Sequence, residues 1–314
     1  MLRLLSDALR GPAQARAQHR QALLGAPSVE AGVKQLQALC PVDPSGDPAA
    51  PIFLLSAGWR SGSTMLQRLL MSDPRVLIWG EPYDECGLVQ ALANGMRAFR
   101  PGWPPQDYFH DGTPPQQLTG EWIANLFPSL TDWRAGQRAL FDTMFDVPAR
   151  RAGCERWGIK EVRLTAAHCH YLRWLYPNAR FVLLVRDPLE AYRSYSRYGS
   201  SWYDTFPEAP VFTPTQFGAH WRLLADGFVR EASALGALLV KYEDVVAGRF
   251  DLDELDRYLG IRVDRQVMAR KVGSSERGGE MAHVNALERW LLRRQVGKTA
   301  ASLGYTVQSG SAVR

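Results

Sequence analysis

The sequence predicts an α/β fold, a parallel β-sheet flanked by helices with a helical insertion, and three observations carry that expectation. Short apolar runs at 52–56, 75–79, 157–160, 180–185 and 237–241 alternate with segments of helical periodicity, the pattern of βαβ units joined by right-handed crossovers. The first run passes through Gly58 and Gly62 straight into a helical segment, a strand–turn–helix arrangement whose backbone N–H groups hold a phosphate or sulfate. With 314 residues and 46% apolar content, the chain can bury one large α/β core.

The elements follow in order. Residues 1–24 mix apolar residues with Arg3, Arg10, Arg16 and Arg20 and read as an amphipathic helix without the uninterrupted apolar core of a secretory signal. A peripheral membrane contact is one use of such a helix. Four prolines and a glycine at 41–51 mark a linker, so 1–50 reads as an N-terminal helical segment and linker, with the folded core beginning at Ile52. Helices are expected at 63–71 and 83–99, on either side of the second strand. Residues 100–117 then carry five prolines and several aromatics, followed by helical patterns at 119–127 and 135–146, interrupted by Pro128 and ended near Pro148. Insertions of this kind between core strands commonly supply a pocket or lid, which makes 100–150 the candidate specificity region. After the strand at 157–160 a helix is expected at 165–175. Asp187-Pro188 opens another behind the strand at 180–185, with Asp as N-cap and Pro in the first turn. Helices at 214–234 and 252–259 flank the last strand. The domain is expected to span 51–305, with 306–314 a fraying tail.

Charge and cysteines narrow the classes. An excess of 37 basic over 32 acidic residues, net +5 and spread along the chain, favours anionic ligands without implying nucleic acid. Cys40, Cys86, Cys154 and Cys169 form no C-x-x-C pair, which fits a reduced, cytoplasmic enzyme. His168-Cys169-His170 is not read as a metal site, because adjacent residues on a helix point in different directions. No segment reaches the roughly 18 apolar residues that span a bilayer. A soluble protein without a transmembrane segment is expected, and a homodimer is left open.

The chemistry concentrates in three loops. Gly58-Trp59-Arg60-Ser61-Gly62-Ser63-Thr64 is one residue shorter than the nucleotide-binding pattern G-x-x-x-x-G-K-[ST], and Ser63 stands where that pattern has Lys. The cation has moved to Arg60 inside the turn, where a guanidinium can reach a transferring group and a bridging oxygen together. An ordinary β–α turn is the plain alternative. In a parallel sheet the loops at the carboxyl ends of the strands converge on one crevice. The second such loop presents Glu81 and the third presents Arg186, with Ser194 two turns into the helix behind it.

Taken together these residues resemble the sulfotransferases that use 3′-phosphoadenosine 5′-phosphosulfate (PAPS), which have a P-loop-type sheet. Arg-Ser-Gly-Ser-Thr at 60–64 is similar to their 5′-phosphosulfate loop, and Arg-Asp-Pro-Leu-Glu-Ala-Tyr-Arg-Ser at 186–194 to their 3′-phosphate motif. Lys241-Tyr242-Glu243-Asp244 is also similar to the family. The likeness covers 51–75 and 157–305, while the insertion matches nothing nameable. It implies PAPS as donor, bound by Arg60, Ser61, Gly62, Ser63, Thr64, Arg186 and Ser194, and transfer without a metal to an acceptor hydroxyl on a glycan, a peptide tyrosine or a small natural product. Glu81 resembles the glutamate base of the tyrosylprotein and carbohydrate branch; favouring a helix N-terminus beside Pro82 is its structural alternative. Lys160 resembles the lysine that steadies the sulfuryl group, against a plain surface lysine. Ser275 and Arg277 fall in a segment similar to a late loop that closes over the nucleotide. Trp59 and the aromatics Tyr192, Tyr195, Tyr198, Trp202 and Tyr203 either stack on adenine, line the acceptor cleft or pack. The competing functions are a P-loop small-molecule phosphotransferase, disfavoured by Ser63 and by the Arg186/Ser194 pair, and a non-catalytic nucleotide-binding scaffold.

Overall fold

Five apolar runs become five parallel strands because each can be buried on both faces. The computed structural model describes residues 28–83, 86–196, 211–269 and 283–305. Its strands are β1 (Ile52–Ser56), β2 (Val76–Trp79), β3 (Arg156–Glu161), β4 (Arg180–Val185) and β5 (Leu238–Lys241), in the order β2-β3-β1-β4-β5 with every neighbouring pair parallel. The expected helix at 1–24, the tail at 306–314, Tyr198, Trp202, Tyr203, Ser275 and Arg277 lie outside the described residues.

The two-residue side-chain period sorts the strands onto two cores. Phe53, Leu55, Phe181 and Leu183 face one apolar cluster, while Ile52, Leu54, Val182 and Leu184 face the other. Helix α1 (Val29–Leu39) lies on the first face. Helix α2 (Ser63–Leu70) covers the second with Leu66, Leu69 and Leu70. Between β2 and β3 come α3 (Leu88–Asn94), α4 (Leu130–Phe141) and α5 (Val147–Arg151). After β3, α6 (Ala166–Leu175) and, after α7 (Pro188–Ser196), α8 (Pro214–Glu231) pack on the first face. Past β5, the short α9 (Tyr242–Val246) and α10 (Leu252–Leu259) return to the second face, and α11 (Ala286–Ser302) packs along α8.

Several expectations need correction. Val33 and Leu36 are fully buried in the same cluster as β1, so the core starts before Ile52. The proline-rich stretch ahead of β1 is pinned, because Arg138 grips Asp47 with two hydrogen bonds of 2.7 and 2.9 Å. The helix expected at 83–99 starts only at Leu88, behind left-handed Gly87. No helix forms over 121–127: Trp122 is 82% exposed, and the backbone of Phe127 instead exchanges hydrogen bonds with Tyr108 and His110. The helix expected at 135–146 begins at Leu130, capped by Ser129, and does not end at Pro148. A π-turn at Asp142–Asp146, closed by Val147 N–H on the Asp142 carbonyl, absorbs one extra residue and lets the proline enter at the start of a fresh α segment, where its missing N–H costs little. Helix α11 lies outside the helices expected from the periodicity, although Asn285 and Glu288 form a capping box at its start.

One glycine shows how tightly the sheet is stacked. Gly158 lies opposite both Ile52 and Ile78, and a Cβ there would stand 2.1 Å from the Ile52 carbonyl oxygen and 2.6 Å from Ile78 Cδ1. Gly158→Ala is therefore expected to destabilise the protein by about 3 kcal/mol, as overpacking of a close-packed core does. A urea denaturation midpoint equal to that of the unaltered protein would contradict this.

The topology also fixes where a ligand can enter. The chain leaves β1 toward β2 and leaves β4 toward β5, on opposite sides of the adjacent pair β1/β4. The loops after these two strands diverge, which opens a crevice at their carboxyl ends.

Candidate active site

The turn after β1 is built from three left-handed residues. Gly58 (φ 87), Arg60 (φ 61) and Gly62 (φ 88) alternate with residues of negative φ, a sequence that turns successive backbone N–H groups to one side as an anion-binding concavity. Arg60 adopts this conformation without being glycine, the kind of backbone strain that concentrates at functional sites. Gly62 is required for a second reason, because a Cβ on it would meet the Tyr242 ring at 2.2 Å. It precedes α2 with no side chain capping the helix, and the buried Ser61 Oγ has no hydrogen-bond partner among the described residues. The loop thus offers donors and a positive helix end that the protein itself leaves unused.

The fold joins this turn to the loop after β4. Arg60 Nε donates to Ser194 Oγ at 3.0 Å, and Arg186 Nη1 donates to the Arg60 carbonyl at 2.7 Å. The guanidinium of Arg186 lies 4.4 Å from the centre of the Tyr242 ring, so one aromatic side chain backs both the glycine turn and the arginine. Asp187 caps α7 by accepting the N–H groups of Leu189 and Glu190. Its own N–H goes to Glu243 Oε1 at 2.9 Å, while Tyr305 donates to Glu243 Oε2. The indole of Trp221 donates to the Arg186 carbonyl at 3.1 Å. Arg186 is therefore held from α9 and α8, and the Glu243 that fixes the following residue is itself held by Tyr305, just beyond α11.

At the other side of β1, the end of β3 carries a row of charges. Lys160 Nζ pairs with Glu81 Oε1 at 2.5 Å, their side chains 9% and 23% exposed. This pair joins the second expected loop to the central strands, since Lys160 sits opposite Leu54 of β1. Next along the chain, Glu161 and Arg163 form a second, deeply buried pair at 3.0 Å, and burial raises the Glu161 carboxyl while Arg163 opposes that rise. His220 reaches in from α8 and stacks on Trp59 with ring centres 4.9 Å apart. Burial, helped by Arg163, pushes its imidazole down to about 4, so it brings no positive charge to the crevice at neutral pH.

Sequence reasoning did not assign His220, Tyr242, Trp221 or Glu243 to the site. Glu243 and Tyr242 lie in the Lys-Tyr-Glu-Asp stretch after β5, a signal that was visible without a role attached. Of the aromatic cluster, Tyr192 and Tyr195 are buried against Phe217 and belong to the core. In the His168-Cys169-His170 run, His168 Nδ1 accepts the Thr165 N–H as part of a helix cap and His170 pairs with Glu231. Among the described residues no group of three or more His, Cys, Asp or Glu is arranged to hold a metal ion, and no helix is long and apolar enough to cross a membrane.

A family model described as "Sulfotransferase family" matches residues 51–264, and the chain belongs to that family. Among solved structures it is similar to the sulfotransferase domain of the Synechococcus PCC 7002 olefin synthase, at 18% identity and a TM-score of 0.46 over 84% of this chain and 98% of that one. The sulfotransferase domain from the curacin biosynthetic pathway matches at 14% identity and a TM-score of 0.47, over 84% of this chain and 100% of that one. Sulfotransferase STF9 from Mycobacterium avium matches at 14% identity and 0.44, over 88% and 84%. No curated protein matches the chain.

Proposed function

We propose that this protein transfers a sulfuryl group from PAPS to an acceptor hydroxyl, without a metal. The observation that carries the reading is the pair of hydrogen bonds linking Arg60 to Ser194 and Arg186 to Arg60, which supports two anion-binding sets side by side in one crevice. The alternating left-handed turn, the Gly62 cradle under Tyr242 and the unused Ser61 hydroxyl fit a 5′-phosphosulfate held by Arg60, Ser61, Gly62, Ser63 and Thr64. Arg186 and the Ser194 hydroxyl suit the 3′-phosphate: Ser194 Oγ accepts from Arg60 and keeps its own proton to donate onward. Ser275 and Arg277 are assigned to the nucleotide by resemblance alone.

In this reading the acceptor hydroxyl gives its proton to Glu81 as it attacks sulfur. The bond from sulfur to the bridging oxygen breaks, and the charge growing on that oxygen is met by Arg60 and the loop amides. Lys160 steadies the sulfuryl oxygens in flight. The insertion at 100–150, which exposes Trp103, Trp122 and Ile123, is assigned to acceptor recognition, within a domain whose core also takes in α1.

Incubation with sulfur-labelled PAPS and an extract of the host, in parallel with γ-labelled ATP, tests the reaction class. Label is expected to move from PAPS to a hydroxyl-bearing product and to keep moving in the presence of EDTA. Transfer from ATP with none from PAPS would make the protein a phosphotransferase.

A further inference from the structure

The Lys160–Glu81 pair joins two groups that the reaction needs apart. Glu81 lies in an irregular stretch after β2, behind Gly80 with open space around it, whereas Lys160 is fixed in β3 between β1 and β2. The ammonium is almost fully withdrawn from water. Removing its counter-ion without replacement would leave a buried, uncompensated charge, which is strongly unfavourable. A new anion at Lys160 removes that penalty, and the anion the proposed reaction brings to this spot is the sulfuryl group.

Resting on the function proposed above, we infer that the Lys160–Glu81 pair is a donor-sensing latch: the sulfuryl group of the donor takes the ammonium, and the carboxylate on its irregular loop is released to serve the acceptor. Before the donor arrives Lys160 occupies the base. Once the donor is seated the base is available beside the group to be moved, so the fold builds in an order of donor first and acceptor second. A ligand shifts such an equilibrium only through its different affinity for the two states. The sulfated donor opens the latch and the desulfated product, 3′-phosphoadenosine 5′-phosphate (PAP), does not.

The latch makes an unusual demand on binding. Glu81→Gln removes the negative charge that competes for Lys160, leaving only a weaker neutral acceptor, and should tighten PAPS by about tenfold, within the range of ordinary coupling between sites, while PAP binds as it does to the unaltered protein. The gain must vanish when Lys160→Met is added. Calorimetric titration of PAP and of PAPS into the unaltered protein, the two single variants and the double variant, without acceptor, measures all of this. A gain that persists in the double variant would reduce the effect to simple repulsion between Glu81 and the sulfuryl group, and the absence of any gain would also overturn the latch. If neither nucleotide binds the unaltered protein, the donor assignment itself fails and the latch with it.

Discussion

Replacing Glu81 by Gln is expected to lower single-turnover sulfuryl transfer by about 10²–10⁴-fold, the range that a positioned general base contributes. The amide keeps the size of the side chain and an oxygen for Lys160 but cannot accept the acceptor proton. PAP affinity should not change, because none of the residues assigned to the nucleotide lies on the loop after β2. Loss of transfer with intact product binding places the defect in the chemical step. Transfer within tenfold of the unaltered protein would move the base elsewhere, and His220, neutral and stacked on Trp59, would be the next residue to alter.

Arg186→Ala carries the second large effect, and the structure changes how it must be measured. Arg186 is both a cation and a strut, since it also holds the Arg60 carbonyl and lies against Tyr242. Its loss should loosen the turn and weaken any nucleotide somewhat. The part that belongs to the 3′-phosphate is the excess loss for PAP over AMP, which lacks that group. Charge-assisted hydrogen bonds of about 1.5–3 kcal/mol put this excess at roughly 10- to 100-fold in affinity. Equal losses for the two nucleotides would reject the assignment and leave Arg186 as a strut alone.

How much of this could be read in advance depended on whether the signal was local. Strands β1 and β4 were legible because apolar runs bounded by turn residues have few alternatives, and α7 because Asp187 and Pro188 sit where a helix start needs them. The glycine turn and the Arg186–Ser194 spacing were legible as local patterns. The insertion was not. Its helix passes a proline by way of a π-turn, and its 121–127 segment is tied to 108–110 by backbone bonds that no periodicity encodes. His220, Tyr242 and Trp221 enter the site from elements far along the chain, so only the packing of α8 and α9 against the strand ends reveals them. The pairing of Lys160 with Glu81 is equally hidden, since it joins the ends of two strands, β2 and β3, separated by the whole insertion.

The π-turn has a consequence for the insertion as a whole. One additional residue in a helix rotates everything beyond it by about 100°, so α4 and α5 are two halves of one rod read in different frames. The turn is keyed to the sheet where Trp79, two positions ahead of Glu81, donates its indole N–H to the Phe145 carbonyl at 3.0 Å, and Phe145 stacks on Trp157 of β3. Side chains on the outer surface of α4 can therefore change character freely, whereas the number of residues between Phe141 and Pro148 is held fixed by what lies beneath it.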